Sequence, residues 1–155
     1  MSKQSGKEAW SIPTWYMFHG VAEKININFF NRERETILKF FLLVCSSLPC
    51  PICQHSATLY LKKEKFEQVV KTKEDLINFL YDMHNWVNKK LNKKEYNKLG
   101  LEMYKRININ QCIRLWVQRF FRTYYVHNNF NQWRRNMIID EVKKFFLTKY
   151  KTSMF

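Results

Sequence analysis

Two thiols three residues apart, in the run Cys50-Pro51-Ile52-Cys53, are the side chains best placed to do chemistry in this chain. A thiol at a helix N-terminus is stabilised as thiolate by the helix dipole and by the unpaired amides of the first turn. A second thiol three residues on can close a small, reactive disulfide. Pro49 disfavours helix at Leu48 and Pro51 suits a first turn. A helix is therefore expected to start at the cysteines and run through Ala57 and Leu61.

Two other chemistries use the same spacing. Half of a zinc site would join these cysteines to His55 or Cys45, but no second Cys-x-x-Cys follows. A thioredoxin-like motif sits on a sheet with crossover helices, and no alternating strand flanks the pair. A dithiol oxidised on its own protein must also pass its electrons on. With no glycine fingerprint of the dinucleotide-binding kind, a flavin would have to be held by aromatic, His and Asn groups on helices.

The elements that must position these groups read as helices throughout. Pro13 and Thr14 precede an apolar run from Trp15 to about Ile27. Asn31 is the expected N-cap of a second helix, with Glu33 and Glu35 in its first turn. Ile37, Leu38, Phe41, Leu42 and Cys45 then recur at the helical period, and the helix should end near Ser46 or Ser47. Beyond the cysteine helix, a charged connection from Lys62 to Lys73 leads to a fourth helix from Glu74 to about Asn92. Leu76, Phe79, Leu80, Met83, Val87 and Leu91 form its apolar stripe, and His84 and Asn88 share a neighbouring face. Further helical segments are expected over Tyr96 to Lys105, Asn110 to Tyr125 and Asn131 to Tyr150.

Composition points the same way. Three glycines and three prolines in 155 residues are too few for a fold built on hairpin turns. A hydrophobic content of 46% is enough to bury one substantial core. The net charge of +14 favours anionic partners such as a nucleotide pyrophosphate, nucleic acid or an acidic membrane surface. Many lysines accompany Asn and Ile along the whole chain, however, which argues against one dedicated basic face. No apolar run reaches the ~18 residues of a spanning helix, so a soluble chain without a secretory signal is expected. Four cysteines are too few and too irregular for a disulfide-stapled scaffold.

Four stretches now combine. They are Trp10-x4-Trp15-x3-His19, the run Leu48 to Ala57 around the cysteines, His84-Asn85-Trp86-Val87-Asn88-Lys89-Lys90-Leu91-Asn92-Lys93, and Tyr96. In order and spacing, over roughly residues 10 to 100, they resemble the Erv/ALR family of FAD-linked sulfhydryl oxidases, above all its small viral members.

The resemblance implies an all-α fold: a four-helix bundle plus a short fifth helix. Residues 1–106 would form the FAD-binding unit, and 107–155 a basic, aromatic helical extension. FAD would lie at one end with its isoalloxazine ring beside Cys53. Cys50 would be the outer thiol that exchanges with substrate, and electrons would pass from Cys53 through flavin to oxygen, giving hydrogen peroxide. The implied cofactor-binding residues are Trp15, His19, Cys53, His84, Asn85, Asn88, Leu91, Lys93 and Tyr96, with no metal. Trp15 and His19, four apart on one helix face, would line the flavin. His84 would pack against adenine, with Asn85 and Asn88 supplying directional hydrogen bonds, and Lys93 would face the pyrophosphate or ribose. The implied partners are dithiol proteins, a viral thioredoxin-like or structural protein among them, molecular oxygen, and a second copy in a homodimer through helices one and two. The implied setting is viral assembly in the host cytoplasm and/or the virion.

The chain also departs from the family. Tyr81 and Lys98 stand where cellular members carry a structural disulfide, so packing must replace that staple. No separate shuttle pair of cysteines exists here, so substrate would meet Cys50 directly. Cys45 and Cys112 are expected to be structural. Trp116, Phe120, Phe121, Tyr124 and Tyr125 make a helical stripe, with Arg114, Arg119 and Arg122 on other faces. Such a stripe packs on the parent domain or an interface more often than it binds single-stranded nucleic acid or a membrane surface. The reading from a different class is a non-enzymatic basic helical module. It would bind zinc or nucleic acid through Cys50, Cys53, His55 and the arginine-rich tail.

Overall fold

The computed structural model describes residues 6–126, 132–151 and 153–155, leaving aside the side chains of 124–126 and 148–151, and every regular element among them is a helix. Helix α1 spans Glu8–Lys24 and begins earlier than expected, because Pro13 lies inside it. A proline removes one backbone donor; beside that gap the Thr14 hydroxyl donates to the Trp10 carbonyl at 2.7 Å.

Helix α2, Ile27–Ser46, is capped by Asn26 and not by Asn31. The Asn26 side chain accepts from the amides of Asn28 and Phe29 at 2.9 and 3.3 Å, which satisfies two orphan donors of the first turn. The signal at Asn31 marks a kink instead: Glu33 has φ −114° and ψ 24° within the helix. Its charged residues resemble a helix start because the helical path bends there.

Helix α3, Pro51–Lys63, starts at the cysteines as the prolines require. Within the expected connection 62–73 lies one extra turn, α4 (Phe66–Val69), seated by the buried Phe66. Arg34 donates to the carbonyls of Val70, at 2.7 Å, and Glu67, and so ties α2 to this turn. Helix α5, Lys73–Lys90, opens with a capping box: Thr72 accepts from the Asp75 amide at 3.1 Å, and Asp75 accepts from the Thr72 amide at 2.8 Å. A 3-10 helix follows over Lys98–Lys105, then α6 (Ile109–Val126) and α7 (Gln132–Lys151).

Helices α1, α2, α3 and α5 form the bundle. The most extensive helix pairing, however, is α1 with α6, while α7 lies against α2. Gly20 makes the α1–α6 approach possible, since a Cβ there would stand 2.7 Å from Ile107 Cδ1 and 3.1 Å from Ile109 Cδ1. Trp116, Phe120 and Phe121 of the tail stripe are buried in the chain's own core, and the Phe145 ring stacks on Phe40 at 4.0 Å and 7°. Arg114, Arg119 and Arg122 stay exposed. The side chains of Tyr124 and Tyr125, and Asn131 as the expected start of the last helix, lie outside the described residues. Beyond α7 the buried Met154 returns to the α1–α2 junction, where its carbonyl accepts from the Asn26 amide at 2.7 Å. Tyr81 packs against Tyr96, with ring centroids 6.5 Å apart, beside the place where a staple would sit. Among the described residues no helix is long and apolar enough to cross a membrane.

Candidate active site

Cys50 is the N-cap of α3. Its backbone is extended (φ −155°, ψ 110°), and its Sγ accepts from the Cys53 amide at 3.2 Å. A sulfur so placed meets the positive end of the helix dipole. The two cysteines are joined in a disulfide, with Cα atoms 5.1 Å apart. The approach is fixed by Gln54, whose side-chain amide donates to the Leu48 carbonyl at 2.6 Å. A disulfide withholds both sulfurs from a metal, and His55 is exposed on the helix surface. Among the described residues no group of three His, Cys, Asp or Glu could hold a metal ion.

Behind the disulfide a cavity of about 450 Å³ opens between α1, α3 and α5. Cys53 is in its wall and Cys50 is not. Trp10, Trp15, Phe18, Leu48 and Met83 supply apolar surface, while Lys7, Lys90 and Lys93 stand where it meets solvent. Cys45 also lines it, but burial pushes that thiol up to about 12, which leaves it without thiolate character.

On one side the cavity is backed by a stack of rings. Trp15 and His84 are parallel, with centroids 4.0 Å apart at 6°. His19 lies behind, stacked on both Trp15 and His84 and also on Tyr96. Nε2 of His19 is 2.9 Å from Nδ1 of His84. A hydrogen bond between two imidazoles needs an N–H on one ring and a bare nitrogen on the other, so the accepting ring must be neutral. Burial, helped by the neighbouring His84, lowers His19 to about 3; burial, helped by Lys93, lowers His84 to about 4. Both rings are therefore neutral at physiological pH.

The residues singled out in the sequence fall into two shells. Trp15, Cys53, His84, Asn88, Leu91 and Lys93 line the cavity. His19, Asn85 and Tyr96 do not: His19 backs His84, Tyr96 backs both histidines, and Asn85 bonds the Tyr96 backbone. Lys93 Nζ lies 3.5 Å from the Glu8 carboxylate, an exposed pair of little energetic weight. Lys90 and Trp86 were not singled out. Lys90 Nζ sits 4.6 Å from the Trp86 ring centre and donates to Ser56 Oγ at 3.1 Å, bridging α5 to α3. Their four-residue spacing was the available signal.

The comparisons agree with this geometry. A candidate FAD-linked sulfhydryl oxidase, 096R of Invertebrate iridescent virus 3, is 30% identical over 86 residues, covering 56% of this chain and 58% of that protein. The FAD-linked sulfhydryl oxidases of two African swine fever virus isolates are each 36% identical over 63 residues, 41% of this chain and 51% of theirs. The chain thus spans little more than half the length of the curated relatives it matches. No solved structure matches it. The Erv1 / Alr family model matches residues 12–108, more than half of the chain, with the disulfide, the ring stack and most of the cavity's lining inside the match; the chain belongs to the Erv1/Alr family.

Proposed function

We propose that this chain is an FAD-dependent thiol oxidase that forms disulfides in protein substrates. The observation that carries the reading is the position of the disulfide: Cys53 lines the cavity, while Cys50 caps α3 outside it. The residues present fit FAD. The cavity offers apolar and aromatic walls for a flat ring system, and lysines near its mouth for a pyrophosphate. Its size falls within the ~300–1,000 Å³ of ordinary small-molecule sites. Bound FAD would take up the electron pair of two thiols and deliver it to oxygen, giving hydrogen peroxide.

The protein's part is thiol exchange. A substrate thiolate attacks Cys50 Sγ, the Cys50–Cys53 bond breaks, and Cys53 leaves as thiolate at the cavity wall. A second substrate thiolate then attacks the substrate sulfur of the mixed disulfide, releasing oxidised substrate and returning Cys50 as a thiol. The neutral His19–His84 pair and Trp15 keep the wall facing the cofactor uncharged. Asn88, Leu91 and Lys93 would complete the binding surface, with His19, Asn85 and Tyr96 behind it. Residues 1–106 would form the cofactor-binding unit and 107–155 the extension that packs on it. The relatives' names support a viral sulfhydryl oxidase; its dithiol substrates would be proteins met in the host cytoplasm or the virion. A homodimer would have to use surface of α1 and α2 that α6 and α7 leave open.

The test is a visible spectrum of the purified protein, followed by oxygen uptake on adding dithiothreitol. A flavin band with thiol-dependent oxygen consumption is expected. A colourless protein that holds zinc, and that added FAD neither colours nor activates, overturns the reading in favour of the binding module.

A further inference from the structure

Between α5 and the 3-10 helix the chain runs through residues 91–97 without regular structure, yet it places Leu91 and Lys93 in the cavity wall. At its start, Asn92 adopts φ 52° and the Lys93 amide donates to the Asn88 carbonyl at 2.8 Å, which turns the chain off α5. The Lys93–Glu8 pair is exposed and holds little. At its far end one side chain makes both available backbone bonds: Asn85 Nδ2 donates to the Tyr96 carbonyl at 3.1 Å, and Asn85 Oδ1 accepts from the Tyr96 amide at 2.7 Å. Gly100 leaves room for this arrangement, since a Cβ there would meet the Tyr96 ring at 2.8 Å.

Taking the cavity as the FAD site, we infer that Asn85 is a positioning residue: it fastens the segment 91–97 to α5 and so sets Leu91 and Lys93 in the wall, acting on the cofactor through them. An amide whose oxygen and nitrogen both bond one residue's backbone outside the cavity is oriented away from a ligand inside it. Asparagine suits the task because it carries a donor and an acceptor at the spacing of a peptide group. Aspartate retains only the acceptor and sets a carboxylate oxygen against the Tyr96 carbonyl.

The first measurement is amide hydrogen exchange of the full chain, with and without FAD. In Asn85→Ala the Tyr96 amide should exchange at least about tenfold faster, whereas Asn85→Asp, which keeps the acceptor, should retain its protection. The second is an FAD titration across a cycle with Lys93→Met. Asn85→Ala should weaken FAD by roughly ten- to a hundredfold, the effect of two neutral hydrogen bonds. Adding Lys93→Met should then cost less than it does alone, because the lysine is already misplaced. Unchanged Tyr96 exchange in Asn85→Ala overturns the inference. So do fully additive losses accompanied by an altered flavin spectrum, which would mark a direct contact. A wild-type protein that binds no FAD defeats the reading of the cavity, while the exchange arm still decides whether Asn85 fastens the segment.

Discussion

His19 and His84, 65 positions apart in sequence, meet through a single hydrogen bond of 2.9 Å between Nε2 and Nδ1. Burial has lowered both rings, to about 3 and about 4, so neither is charged in the folded protein near neutrality. In the unfolded chain each titrates near ~6.5. As pH falls below that value the unfolded chain takes up protons that the folded chain does not, so stability falls. Each histidine adds a slope of about 1.4 kcal/mol per pH unit until its folded value is reached. Urea unfolding between pH 7 and pH 4 should show this loss, and His19→Gln should reduce the slope. An unaltered slope in that variant would mean that the pair does not govern acid stability.

Cys53→Ser should leave FAD bound and abolish its reduction by dithiothreitol, because the sulfur at the cavity wall is gone. His84→Ala should act differently and weaken FAD retention, since it removes the ring stacked on Trp15. Stopped-flow absorbance and a fluorescence titration separate the two effects. Full turnover in either Cys50→Ser or Cys53→Ser would sink the exchange mechanism.

Phe145→Ala should destabilise the protein by about 3–5 kcal/mol, the usual cost of emptying a buried phenylalanine site. Its ring is buried and stacked on Phe40 of α2. Thermal and chemical unfolding measure the loss. A change below about 1 kcal/mol would mean that α7 contributes little to holding α2.

Cys45 should resist alkylation in the native state. It is 2% exposed, and burial keeps it protonated, while the thiolate is the reactive form. Cys112, half-buried with its thiol also pushed up by burial, should react first. Timed maleimide labelling with mass analysis reads the order, and rapid labelling of Cys45 in folded protein would contradict its burial.

Much of this site was legible in the sequence because its signals are local. Two prolines dictate where α3 can begin, and the apolar stripe of α5 orients His84 without help from the rest of the chain. The start of α2 was misread because Asn26 and Asn31 are both competent caps, and tertiary packing chose between them. Asn85 was placed by its match to the family's motif, and neither composition nor spacing reveals that its amide bonds a backbone eleven residues away. The tail stripe was likewise open to two readings, because an aromatic face at helical spacing does not say which surface covers it; Trp116, Phe120 and Phe121 are buried in the chain's own core.

The sulfur of Cys50 also terminates a helix, since it accepts the Cys53 amide. A sulfur retains lone pairs whether it is bonded to another sulfur or ionised. The first turn of α3 therefore has its acceptor at both ends of a turnover, and no peptide group must find water when the bond opens. In the proposed thiol exchange the bond would then open on a standing backbone, and α3 would not have to melt and re-form between substrates.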